Sequence, residues 1–152
     1  MILGSPTASL ELRILGYEFP HLSSDSMDSD WLLIRGVAKD GLAQWEFVSP
    51  CMTTGDAQSL VTFLDSASKD AGSGARVVFG EPNLQFEVKA TGQIRVIFEL
   101  EARPPWKPPT FEDDDIYALD LDLSSAQLAQ AAEQLAEQLK KFPSRWRKHN
   151  AA

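Results

Sequence analysis

Residues 31–48 read WLLIRGVAKDGLAQWEFV, and this stretch decides the fold class. The run 31–38 is nearly continuous in apolar character. Lys39-Asp40-Gly41 is turn chemistry, because glycine accepts the positive φ that a tight turn needs. Residues 43–48 then return with Trp45 and Phe47 on one face. Two strands joined by so short a connection pair antiparallel. Working outward, residues 9–15 (SLELRIL) alternate, with Leu10, Leu12 and Ile14 on one side and Glu11 and Arg13 on the other, which predicts a half-buried strand. Residues 20–30 (PHLSSDSMDSD) form a polar loop between these strands.

Downstream, Thr53 or Thr54 caps a helix over about 55–69, with Asp56 in its first turn and Ala57, Leu60, Val61, Leu64 and Ala67 as its apolar stripe. Residues 70–75 (DAGSGA) break it. Strands are predicted at 76–79, 84–89 and 93–102, the last with Ile94, Val96, Phe98, Leu100 and Ala102 facing one side. The four prolines of 103–110 (RPPWKPPT) lack ladder donors and exclude a central strand there. Alternation resumes over 116–123, with Tyr117, Leu119, Leu121 and Leu123 inward and Asp120 and Asp122 outward. Ser124 with Gln127 is a capping box, and Leu128, Ala132, Leu135, Leu139 and Phe142 form a stripe at helical spacing. That helix should end near Phe142, since Pro143 disfavours α geometry in the residue before it. The expectation is an α+β domain over 9–143. Its sheet would be an antiparallel, bent meander of about seven strands, a half-barrel with two helices packed on it. Residues 144–152 (SRWRKHNAA) are expected to be a flexible basic tail.

Composition narrows the chemistry. A chain of 152 residues, 43% hydrophobic and 24% charged, is long enough for one core that removes roughly two thirds of its unfolded surface from water. The formal net charge of −8 argues against nucleic acid or an anionic membrane as ligand. One cysteine cannot form an internal disulfide, and no Cys/His cluster suggests zinc. The opening MILGSPTASL has neither a basic stretch nor a long apolar one, so no signal peptide and a cytoplasmic location are expected.

The motifs for catalysis are weak. Gly72-Ser73-Gly74 lacks the Lys-Ser/Thr of a phosphate loop, and no GxSxG, HExxH or GxGxxG occurs. His21 and His149 have no partner at ligand spacing. Asp25, Asp28 and Asp30 lack the Gly and terminal Glu of an EF-hand. Cys51 precedes a helix start, but the sequence places no His beside it, and it reads as a small buried hydrophobe at a strand end. Arg103–Pro109 reads as a rigid crossover with Trp106 as a lid, or as a polyproline-type ligand. No catalytic residue, metal or cofactor is expected.

Charge segregation says more. Residues 140–149 hold five of the 14 Lys and Arg and no acid, which leaves nine bases against 22 acids on the rest. Six acids fall within 112–122: Glu112, Asp113, Asp114, Asp115, Asp120 and Asp122. Outward Glu11, Glu87, Glu99 and Glu101, only partly offset by Arg13, Lys89 and Arg95, would make one broad face acidic if their strands share a sheet. Such a face is either tuned for solubility or a docking surface for a basic protein.

The segments Trp31-Leu-Leu-Ile-Arg35, Asp40-Gly41, Trp45-Glu-Phe47, Ser49-Pro-Cys-Met-Thr53, Phe79-Gly-Glu-Pro-Asn-Leu-Gln-Phe86 and Arg103-Pro-Pro-Trp106 occur in this order. An acidic segment, a final strand and a helix ending Lys141-Phe-Pro143 follow them. Together they resemble the WapI family of bacterial immunity proteins over about residues 9–143. The resemblance implies a non-catalytic inhibitor made beside a toxin. Its partner would be a cognate, basic toxin domain, nucleases included, occluded one-to-one without direct contact to nucleic acid or membrane. Families of this kind vary their partner-facing residues, so no binding residue transfers by motif. Charge density nominates Glu112, Asp113, Asp114, Asp115, Asp120 and Asp122. A different class, an acidic secretion-type chaperone that holds an effector segment, fits the same size and charge.

Overall fold

The computed structural model describes residues 1–22, 24–106 and 116–147. The first sheet contains β1 (Ile2–Gly4), β2 (Ala8–Tyr17), β3 (Trp31–Asp40) and β4 (Ala43–Thr53), in that spatial order and antiparallel throughout. Helix α1 (Thr54–Lys69) follows directly. The second sheet contains β5 (Arg76–Val77), β6 (Leu84–Val88), β7 (Ile94–Phe98) and β8 (Tyr117–Leu121), again antiparallel in chain order. Helix α2 (Ser125–Leu139) ends the regular structure.

The expected meander order is therefore present, but in two four-stranded sheets rather than one sheet of about seven strands. The cause lies at α1. A helix of 16 residues and the turn after it carry the chain away from β4, so β5 starts a new ladder and does not extend the old one. The three-residue β1 at the edge of the first sheet is absent from the sequence reading, since so short a run shows no period.

Local chemistry explains each element. Asp40 and Ala43 close the hairpin around Gly41, which has φ +62°, and Leu42 at the tip is fully exposed. Leu12 pairs with Gly36, and Gly36 pairs with Phe47. A Cβ on Gly36 would lie 2.1 Å from Phe47 Cζ, so the glycine makes room for the ring. Register slips between Leu32 and Ile34, where Pro50 sits in β4. A bulge is one of the few places a strand tolerates proline, and it leaves Cys51 and Met52 both buried. β7 stops at Phe98 and not at Ala102. Leu100 takes φ +51° and opens a short 3-10 turn, Leu100–Ala102, which leaves Leu100 itself exposed. Both helices begin with complete capping boxes, Thr53 with Asp56 and Ser124 with Gln127.

The core is one cluster shared by both sheets and both helices. Leu10, Leu12 and Ile14 of β2 meet Leu32, Ile34 and Ala38 of β3; Phe86, Val96, Phe98, Leu119 and Leu121 close it from the second sheet. The helices pack on each other, α2 also on β1 and β2, and α1 also on β4 and β5. Trp45 lies among Phe98, Trp106 and Tyr117, all edge-on at ring-centroid distances of 5.1–5.5 Å, and its Nε1 donates to Ala102 O at 3.0 Å. Trp106 thus covers the core through Trp45, as the crossover reading expects.

Candidate partner-binding surfaces

Of the six nominated acids, Glu112, Asp113, Asp114 and Asp115 lie outside the described residues. Asp120 stands on β8 opposite Arg95 of β7. Arg95 donates to both its oxygens, Nε at 2.8 Å and Nη2 at 3.1 Å, and Lys89 Nζ donates at 2.8 Å. The bidentate Arg95 bond, helped by Lys89 and opposed by partial burial, holds the Asp120 carboxyl down at about 2. Asp122 lies beyond β8, exposed, beside Ala71, Thr91, Gly92 and Gln93 at a shallow depression.

The expected broad acidic face does not form as one surface. Glu11 and Arg13 belong to the first sheet, Glu87 and Arg95 to the second, Lys89 lies just past the end of β6, and Glu99 and Glu101 lie past the end of β7. The outer faces also carry cations beside their acids: Arg35 grips Glu46 through Nε at 2.7 Å and Nη2 at 3.0 Å, and Arg95 lies 4.0 Å from Glu87.

Among the described residues, a concentration of negative charge outside any ion pair lies elsewhere. Where the first sheet approaches the loops of the second, Glu18, Phe19, Asp28, Trp31, Val48, Ser49, Pro50, Glu81, Asn83 and Glu101 line a cleft of about 610 Å³. Its floor is the bulged part of β4, with Val48 48% exposed. One wall is the loop after β2, where Glu18 N donates to Trp31 O at 2.9 Å. The other wall is the segment before β6 and the 3-10 turn after β7. Asn83 is buried; its Nδ2 donates to Glu101 Oε2 at 2.8 Å and to Ser49 Oγ at 3.5 Å. None of Glu18, Asp28, Glu81 and Glu101 is in an ion pair among the described residues. Residues so distant in sequence carry no shared period, which is why the sequence alone does not gather them.

The loop wall is pinned from the far end of the chain. Asp30, buried at the end of the 3-10 turn Met27–Asp30, accepts from Thr54 Oγ1 at 3.0 Å, from the backbone N of Arg145 at 2.6 Å and of Trp146 at 3.0 Å, and from Ser144 Oγ. Burial alone would push this carboxyl up; the four bonds outweigh it and hold it below its ordinary value. Arg145 donates to the carbonyls of Phe19, Pro20 and Ser29 and stacks 3.8 Å over Tyr17, whose hydroxyl donates to Pro143 O at 2.5 Å. Residues 144–147, read from sequence as the start of a flexible tail, are thus bonded to the 17–30 region. Residues 148–152, His149 among them, lie outside the described residues. A second cavity, about 470 Å³, lies behind this clasp, between Met27, Gln58, Leu139, Phe142 and Trp146.

Asp28 and Asp30 diverge, one to the acidic cleft and one to the clasp, and no group of three metal-binding side chains occurs among the described residues. Cys51 is buried within β4, and burial pushes its thiol up to about 12, so at neutral pH it is protonated and a poor nucleophile.

The model of the family described as "Immunity protein WapI-like family" matches residues 1–143. No curated protein and no solved structure matches the chain.

Proposed function

The chain belongs to the immunity protein WapI-like family, and from that membership we propose that it binds a cognate toxin made alongside it and neutralises it one-to-one. The proposed mechanism is occlusion: the protein covers the toxin's active site or the path of its substrate, in the cytoplasm of the producing cell, without turnover. The family match over 143 of the 152 residues carries the reading. The net charge of −8 supports a basic toxin domain as partner, and a nuclease suits, since a nuclease needs a basic surface to hold nucleic acid. An acidic inhibitor then gains in encounter rate and in selectivity for its partner. Within this reading the segment Glu112–Asp115, with Asp122, faces the toxin and steers it in. Asp120, already paired with Arg95 and Lys89, contributes less to the outward field.

The test is co-expression with the toxin domain encoded beside this chain, at graded ratios. Growth should be rescued only where inhibitor at least matches toxin, and the two should co-purify one-to-one. Protection at a strongly substoichiometric level overturns the stoichiometric mechanism. Capture of an extended, unfolded segment in place of a folded domain would favour a chaperone.

A further inference from the structure

We infer that the cleft between Glu18, Trp31, Pro50 and Glu81 is an anchoring pocket for an arginine side chain presented by a loop of the protein partner. The inference rests on the toxin-neutralisation reading and names where on this chain that partner is held.

Three features of the cleft select this occupant. Its volume, about 610 Å³, lies within the roughly 300–1,000 Å³ of ordinary small-ligand sites, so it has room for a whole side chain. Its floor and one wall are apolar, with Phe19 43% exposed and Trp31 half-buried, and such rings take a guanidinium plane better than an ammonium. Carboxylates Glu18, Asp28, Glu81 and Glu101 all line it, and none has a cationic partner among the described residues, although Glu46, Asp65, Asp120 and Glu137 each have one. Their field is felt below the floor, where Glu81 and Glu101 add to the rise of the Cys51 thiol. Asn83, only 3% exposed, holds one of these carboxylates in place: its Nδ2 donates to Glu101 Oε2 at 2.8 Å and to Ser49 Oγ at 3.5 Å. A guanidinium supplies five donors in a fixed fork, enough to serve more than one of these carboxylates at once. Phosphates and carboxylates are repelled from such a site, so a nucleic acid or an acidic peptide is not its occupant.

A charge sequestered this way acts differently from one on the rim. Exposed carboxylates chiefly set the encounter rate, whereas a desolvated pair in a pocket chiefly sets the lifetime of the complex. The experiment uses the full-length chain, its Glu18→Gln/Glu81→Gln variant, and the toxin domain encoded beside it. Where the wild type binds toxin, the double variant should lose at least tenfold in affinity, mostly through faster dissociation. Unchanged affinity overturns the pocket and leaves neutralisation standing. A titration of isotope-labelled protein with N-acetylarginine amide needs no toxin. Saturable shifts are expected at the Trp31 indole and at the Ser49, Glu81 and Asn83 amides, and they should be absent from the double variant. Shifts that are missing or scattered over the surface overturn the pocket. Failure of the wild type to bind toxin overturns neutralisation instead, and the arginine titration then decides the pocket alone.

Discussion

Asp30 and Asp120 are both acids on short sequence runs of acids, and their surroundings give them opposite accessibility but the same direction of titration. Asp30 is saturated by four donors from α1 and the chain end. Asp120 is held by Arg95 and Lys89 on the outside of a sheet. Each has a lower pKa folded than unfolded. Each therefore stabilises the fold fully above the unfolded value, near 3.9, and loses that contribution as pH falls through the folded value, about 2 for Asp120. Stability measured by denaturant should accordingly fall between about pH 5 and pH 2. In Asp120→Asn that fall should be shallower, with part of the loss already present at pH 7; an identical pH profile would remove Asp120 from the acid response. Asp30→Asn leaves the site but turns one acceptor into a donor facing donors, so about 1–3 kcal/mol should be lost at pH 7. Amide exchange at Arg145 and Trp146 should rise with it. At this scale the sequence was partly legible: Cys51 as a buried apolar residue follows from its strand, but a partner 115 positions from Asp30 leaves no trace in local pattern.

The helices were the most legible elements, because capping and a 3.6-residue period are local. The stripe on α2 is buried at Leu128, Ala132 and Leu135 and half-buried at Leu139 and Phe142. Leu135→Ala should cost about 2–5 kcal/mol in chemical denaturation, since the site is 3% exposed within the shared core. The polar side of the same helix does unexpected work. Met1 carries the pairing on to Leu12, its amino group donating to Leu12 O at 3.0 Å and its carbonyl accepting from Leu12 N at 2.9 Å; beyond it Gln138 of α2 takes over the edge, accepting from Ile14 N at 2.8 Å and also donating to Leu12 O at 3.2 Å. Gln134 does the same for Ile2 N at 2.9 Å. A covered edge cannot template another strand. Gln138→Ala should therefore raise amide exchange at Ile14 more than its small effect on global stability would suggest, and unchanged exchange at Ile14 would assign that edge to some other cover. Alternation located the strands but could not assign them to sheets, because a period of two says which face is buried and not which neighbour is paired. Termination of β7 was likewise invisible: Leu100 and Ala102 keep the alternation while Leu100 turns the backbone out of the ladder.

At the scale of the molecule, the acids of the described residues divide into those in ion pairs within the protein and those without one. The surplus, 22 acids against 14 bases, was plain in the sequence; its placement was not, since it depends on which strands meet. Replacing Asp113, Asp114 and Asp115 by Asn should slow association with the cognate toxin and flatten its dependence on salt, because exposed charges act over roughly 8–10 Å at physiological ionic strength. Dissociation should change less, in contrast to substitutions in the Glu18–Glu81 cleft. Association rates measured against ionic strength decide this, and superimposable curves would assign the acidic run to solubility.

The clasp at Asp30 also sets a clock. Residue 145 leaves the ribosome 115 positions after its carboxylate partner, a delay of roughly 6–23 s at common translation speeds. Until then the loop bearing Glu18, Phe19 and Asp28 lacks its fastening, and the edge of β2 awaits Gln138. On the proposed reading, the anchoring cleft is therefore incomplete until the chain is finished. If the chain neutralises its toxin as proposed, a standing pool of completed molecules protects at once, whereas synthesis begun when the toxin arrives lags by that delay.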